Sequence, residues 1–125
     1  MFIFSLKKQI IYWVPVYLYM GIIFYFSSQS SISLGGQPIG GPNIIAPLRH
    51  SAEYFILALL VFRGSITSKF RKNSVLITIL ISGLYGFSDE VHQYFVPGRT
   101  FSFGDILFDL LGIIIGVLIY KFFKK

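Results

Sequence analysis

The sequence predicts an all-α integral membrane protein, a bundle of four transmembrane helices with the N and C termini cytoplasmic. Three observations carry this expectation. The 125 residues are 54% hydrophobic, 18% aromatic and only 13% charged, a profile unlike that of a soluble domain. Four segments (9–27, 47–62, 74–94 and 103–122) approach the roughly 20 mostly apolar residues that a spanning helix needs. The basic residues, finally, alternate in side from one span to the next. The length accommodates one domain, residues 1–125.

The first span is rich in rings: Tyr12, Trp13, Tyr17, Tyr19, Phe24, Tyr25 and Phe26. Rings at both of its ends suit the two membrane interfaces. Pro15 sits in its first turns or kinks it. Lys7 and Lys8 resemble the start of a signal peptide, but the apolar run is long and no A-x-A site follows, so the segment is expected to stay as a span. Residues 27–47 are polar, with Gly35, Gly36, Gly40, Gly41, Pro38, Pro42 and Pro47. They read as an external connector, with a lid as the alternative. The second span is short and has a polar first turn, where Pro47 is well placed. Asn73 or Ser74 is the expected cap of the third span. Pro97-Gly98 predicts a turn. Ser102 with Asp105 matches the S-x-x-D pattern of a helix start. Gly112 and Gly116 form a G-x-x-x-G that lets a neighbouring helix approach closely. That neighbour is either within the chain or in a second copy, which makes these glycines a candidate homo-oligomer contact.

The net charge of +6 does not indicate nucleic acid. Lys7 and Lys8 precede the first span, Arg63, Lys69, Arg71 and Lys72 separate the second from the third, and Lys121, Lys124 and Lys125 follow the fourth. This is the positive-inside pattern. It implies lipid headgroups as partners rather than nucleic acid. All five acids and both histidines then fall near the external ends of the spans, accompanied by only two bases, Arg49 and Arg99. With no cysteine, disulfides, thiolate metal sites and cysteine nucleophiles are excluded.

Helical spacing organises these polar residues. His50, Glu53, Tyr54 and Leu57 share one face of the second span. Tyr85, Asp89, His92 and Gln93 share a face of the third, with Glu90 beside it. Asp105, Asp109, Gly112 and Gly116 make one stripe on the fourth. A charge at the centre of a spanning helix costs about 2.5–3.5 kcal/mol on insertion scales, so Glu53 and Asp109 are expected to point into the bundle. If every acid is ionised, five carboxylates against Arg49 and Arg99 leave an excess of three negative charges. The cluster should therefore hold protons or attract a cation, and Arg49 and Arg99 are its only fixed handles for an anion.

Three readings follow. In one, the cluster binds an amphiphile or helps it move, with Arg49, Arg99, Glu53, Tyr54, Gln93, Asp105 and Asp109 as contacts. In another it is an enzyme, a hydrolase or transferase with or without a metal. Glu90 or Asp89 would then be the general base, His50 or His92 a proton shuttle or metal ligand, and Arg99 an anion clamp. In the third, the polar groups only hold short helices together.

The segment 89–116, DEVHQYFVPGRTFSFGDILFDLLGIIIG, closely resembles the VanZ-like family of bacterial membrane proteins. The family pattern there is D-E-x-H-Q-x-F-x-P-G-R-x-x-S-x-x-D followed by N-x-x-G-x-x-x-G. The upstream H-x-x-E-Y, from His50 to Tyr54, matches the family's second motif. Two positions depart from it. Pro47 stands where the family usually has a lysine, with Arg49 as the nearest substitute charge, and Asp109 stands where asparagine is frequent. The family's namesake is associated with teicoplanin resistance. The resemblance therefore implies a multi-pass protein of the bacterial plasma membrane with a role in the cell envelope, and a lipid-linked or amphiphilic glycopeptide ligand beside membrane lipids.

Overall fold

The computed structural model describes residues 6–28, 45–98 and 101–124. Four helices make the architecture: α1 (Leu6–Ser28), α2 (Ile45–Ile66), α3 (Ser74–Tyr94) and α4 (Phe103–Phe123), with a 3-10 turn at Arg71–Asn73 before α3. No strand occurs among the described residues. The expected spans match in number and order. The third has the expected limits, and α2 runs a full turn further than its apolar segment. That extra turn, with Arg63, Gly64 and Ser65, is polar in sequence yet packed: Gly64 faces the Trp13 indole closely, and Ser65 is buried. Hydropathy marked where apolarity stops, not where the helix does.

Local chemistry explains the helix ends. Ser102 is extended and its hydroxyl accepts from the Asp105 amide at 3.3 Å, capping α4. Asn73 occupies the cap position of α3 but makes no side-chain cap bond. The 3-10 turn feeds the helix directly, and the Ser74 hydroxyl donates to the Arg71 carbonyl at 2.6 Å. Gly98 adopts a φ of 79°, the left-handed geometry that fits glycine in the turn after α3. Pro15 lies inside α1, which continues through it. The expected connector falls mostly at residues 29–44, outside the described residues.

Polarity is distributed inside out. The buried face of α3 is Ser74, Thr78, Ser82, Gly86, Asp89, Glu90 and Gln93. Its exposed face carries Leu76, Leu80, Leu84, Phe87 and Val91. In water this arrangement would be upside down; in lipid it is the stable one. Helices α1 and α4, and α3 with its preceding turn, are long and apolar enough to cross a membrane. Helix α2 carries Arg49, His50 and Glu53 in its first half and Arg63 near its end, and it is also the central element, packed most extensively on α4 and then on α3 and α1. Its neighbours supply the cover that its composition lacks. Tyr54, Leu57, Ala58 and Val61 of α2 form the core with Val16, Ile23 and Ile113.

Small residues set the closest approach. A Cβ built on Gly112 would lie 2.1 Å from the Ser51 carbonyl oxygen, and one on Gly116 would lie 3.0 Å from that of Phe55. The glycine stripe of α4 is thus filled by α2 of the same chain. The Ser51 hydroxyl donates to the Phe108 carbonyl at 2.9 Å across the same seam.

The Thr78 hydroxyl is fully buried and has no hydrogen-bond partner among the described residues. Thr78→Val should therefore raise the midpoint of thermal unfolding in detergent, by the equivalent of about 1 kcal/mol. An unchanged or lower midpoint would show that the hydroxyl is satisfied in solution.

The bundle has two chemically distinct ends. At one, the Arg63 guanidinium stacks over Tyr12 and the Gln9 amide donates to the Thr67 carbonyl. Arg71, Lys72, Lys121 and Lys124 line a groove of about 790 Å³ there. The acids and histidines collect at the other end.

Candidate functional site

The acidic end is formed where α2 and α4 begin and α1 and α3 finish. From α2, His50 is buried and Tyr54 fully so. Asp89, Glu90 and Gln93 are buried on α3, and Asp109 on α4. Asp105, in the first turn of α4, is partly exposed and benefits from the helix dipole. Helical spacing dictates these placements: residues three and four apart leave the same side of each helix, and the glycine contacts pull α2 and α4 together just below.

His50 is the hub. Its Nδ1 lies 2.9 Å from Asp109 Oδ1, and its Nε2 lies 3.6 Å from Asp105 Oδ2. An ionised carboxylate can only accept, so the shared hydrogen belongs to Nδ1. Nε2 then faces Asp105 across a gap too long for a hydrogen bond. Asp109 is seated because α3 has no side chain opposite it: a Cβ on Gly86 would come within 3.1 Å of Asp109 Oδ2 and 3.2 Å of the Tyr54 ring. The Tyr54 hydroxyl donates to Asp89 Oδ2 at 3.3 Å. Ser27 of α1 faces the same carboxylate.

Glu90 is the anomaly. It is 1% exposed, and neither carboxylate oxygen makes a well-formed hydrogen bond among the described residues, the Ser102 backbone amide being the donor that faces it. It does not lie beside the α3 stripe, as expected, but within its buried face. Single oxygens or nitrogens of His50, Glu90 and Asp105 all lie within 4.8 Å of one another.

The model of the VanZ/LLP1 family matches residues 6–124. The chain belongs to the VanZ/LLP1 family. No curated protein and no solved structure matches it significantly.

The family's two motifs in this VanZ/LLP1 protein thus become one place: H-x-x-E-Y supplies His50 and Tyr54, and the longer motif supplies Asp89, Glu90, Gln93, Asp105 and Asp109. Three expected members are set apart. His92 turns toward α1, where its ring stacks on Phe24 at 4.6 Å and its Nε2 meets the Ser28 hydroxyl at 2.9 Å. Arg49 lies at the rim, its side chain 47% exposed and 3.9 Å from Glu53. Glu53 is only partly buried, so it borders the core of the site. Arg99 lies outside the described residues. Beside the cluster, Ile23, Phe26, Ser27, Arg49, His50, Glu53, Asp89 and Gln93 line a crevice of about 10 Å³, room for about one water.

Sequence reasoning missed Ser27, Gly86 and the serine–threonine ladder of α3. Its signal was present as Ser74, Thr78, Ser82 and Gly86, small residues four apart that bring helices close in membranes.

Proposed function

We propose that this VanZ/LLP1 protein binds or moves an amphiphile of the bacterial cell envelope, a membrane lipid or a lipid-linked precursor. It would take the polar head of that molecule at the acidic end of the bundle. Through this activity it contributes to envelope precursor handling or to resistance to teicoplanin-type glycopeptides. The observation behind the reading is placement: a buried cluster of histidine and carboxylates gathers at one end of helices whose outer surfaces are apolar. An amphiphile can slide along such a surface with its head at the level of the cluster. The basic residues of the opposite end support a cytoplasmic position for that end in a multi-pass plasma-membrane protein, which would turn the cluster outward.

The crevice among α1, α2 and α3 is too small for a headgroup, so admission requires α1 to shift. Side-chain hydrogen bonds hold α1 there: Tyr19 to the Glu53 carbonyl, Tyr85 to the Met20 carbonyl, and Ser28 with His92. Arg49 at the rim is the handle for an anionic head, and Arg99 has the same role by its charge.

The test compares membrane lipids and lipid-linked peptidoglycan precursors in cells carrying the protein, lacking it, or carrying Arg49→Gln. The expected result is a changed pool of one amphiphile on deletion that Arg49→Gln reproduces at equal protein level. Identical pools and identical teicoplanin susceptibility with and without the protein would refute the reading.

The buried His50–Asp109 pair favours one alternative, an envelope hydrolase or transferase acting on a lipid-linked substrate. A carboxylate-oriented imidazole is suited to proton transfer, with Glu90 or Asp89 as the base. Conversion of the amphiphile by purified protein would establish this alternative, and binding without conversion would support the first.

A further inference from the structure

The geometry of the acidic end also assigns a metal centre. We propose that His50, Glu90 and Asp105 bind a divalent transition-metal ion, with Asp109 as the residue that orients the imidazole. The inference goes beyond the amphiphile reading and does not depend on it.

The first support is Glu90. A carboxylate buried to 1% exposure, with no well-formed hydrogen bond and only the Ser102 backbone amide facing it among the described residues, carries a large desolvation cost when ionised. Asp105 faces the same space, so with both acids ionised the charge there is doubled rather than offset. An ion of charge +2 between the two carboxylates would neutralise them. The second support is the imidazole. Asp109 at 2.9 Å claims Nδ1, and in the neutral ring this leaves the Nε2 lone pair on the side of Asp105 Oδ2, 3.6 Å away. A lone pair aimed at a carboxylate is repulsive unless something positive lies between them. Carboxylate–imidazole–metal is the usual arrangement for an orienting acid of this kind, and it makes the ligating nitrogen more basic.

Size agrees with this. The three donor atoms span at most 4.8 Å. Around a metal with bonds of about 2.0–2.2 Å, tetrahedral ligands stand roughly 3.4 Å apart, so side-chain adjustments alone would close the site. One imidazole and two carboxylates suit Zn²⁺ or Mn²⁺ better than the harder Mg²⁺ or Ca²⁺. Three protein ligands leave a position for water or for a ligand oxygen, as in catalytic rather than structural zinc sites. An otherwise anionic cluster would thereby gain affinity for an anionic headgroup.

The full-length protein, purified in detergent with its tag removed, tests the proposal. Its metal content is measured, and thermal unfolding is followed with Zn²⁺ and with Mn²⁺ after chelation. The expected result is close to one ion per chain and an upward shift of the unfolding midpoint on adding back one of these metals. Glu90→Gln and Asp105→Asn should each lose both the ion and the shift while keeping helical content. Asp105 is partly exposed, so its variant remains informative if Glu90→Gln folds poorly. Asp109→Asn should retain the ion with affinity reduced about 10- to 100-fold. Wild-type protein that neither carries nor responds to either metal would overturn the proposal, as would a folded Asp105→Asn variant that responds like wild type. Metal binding with unchanged amphiphile pools would instead count against the amphiphile reading alone.

Discussion

Gly112→Ala should be the most damaging small substitution in this protein. The added methyl would stand 2.1 Å from the Ser51 carbonyl oxygen, 2.9 Å from its carbonyl carbon and 3.0 Å from its Cα. These are backbone atoms of the central helix, so no rotamer change relieves the clash. Helix α4 must retreat from α2 until the contact is ordinary. That would loosen the most extensive interface of the bundle and pull Asp109, one turn away, from His50. Overpacking commonly costs about 1–3 kcal/mol, and a collision of backbones belongs at the top of that range or above it. The expected outcome is a sharp loss of monodisperse protein after detergent extraction. Gly21→Ala is the matched comparison. Nothing lies within 4 Å of a Cβ at Gly21, so the change should be tolerated or gain up to about 1 kcal/mol from helix propensity. If both variants extract equally well, the close packing of α4 on α2 is wrong.

The second large effect concerns Asp109. Asp109→Ala would leave the buried Nδ1 of His50 without its partner. Removing one member of a buried charged pair costs about 3–5 kcal/mol, with the lower end expected because His50 can remain neutral. Asp109→Asn should be far milder, since the amide oxygen still accepts from Nδ1. Asparagine is also the residue that the VanZ-like pattern frequently has there. The ranking wild type close to Asn, and both well above Ala, can be read from unfolding midpoints in detergent. Equal losses for Ala and Asn would mean that charge at this position, rather than a hydrogen-bond acceptor, holds His50.

Much of this was legible in the sequence because lipid simplifies the rules. A continuous apolar run of spanning length must be helical, so counting apolar runs found all four helices, and helical spacing placed His50 with Tyr54 and Asp105 with Asp109 on shared faces. The S-x-x-D pattern located the α4 cap. What escaped depends on how each helix is rotated against its neighbours. The spacing of Asp89 and His92 matches a shared stripe, yet α1 takes His92 while the space between α3 and α4 takes Glu90. One residue of rotation separates those outcomes, and a single helix read alone does not fix it. The glycine stripe showed that some helix approaches α4, but only the packed structure identifies it as α2. The hydroxyl ladder of α3 went unread because serine and threonine at mid-span look merely tolerable in a hydropathy profile, although here they form the packed face.

The position of α2 has a consequence for how the chain is made. Arg49 and Arg63 lie near its ends, but His50 and Glu53 make its first half costly to expose to lipid. The helix that covers it most, α4, is the last to be synthesised. A nascent chain halted after α2 would hold that helix without its main partner. Stable insertion of the second span is therefore expected to wait for the fourth, so that integration into the membrane and folding would become a single late event.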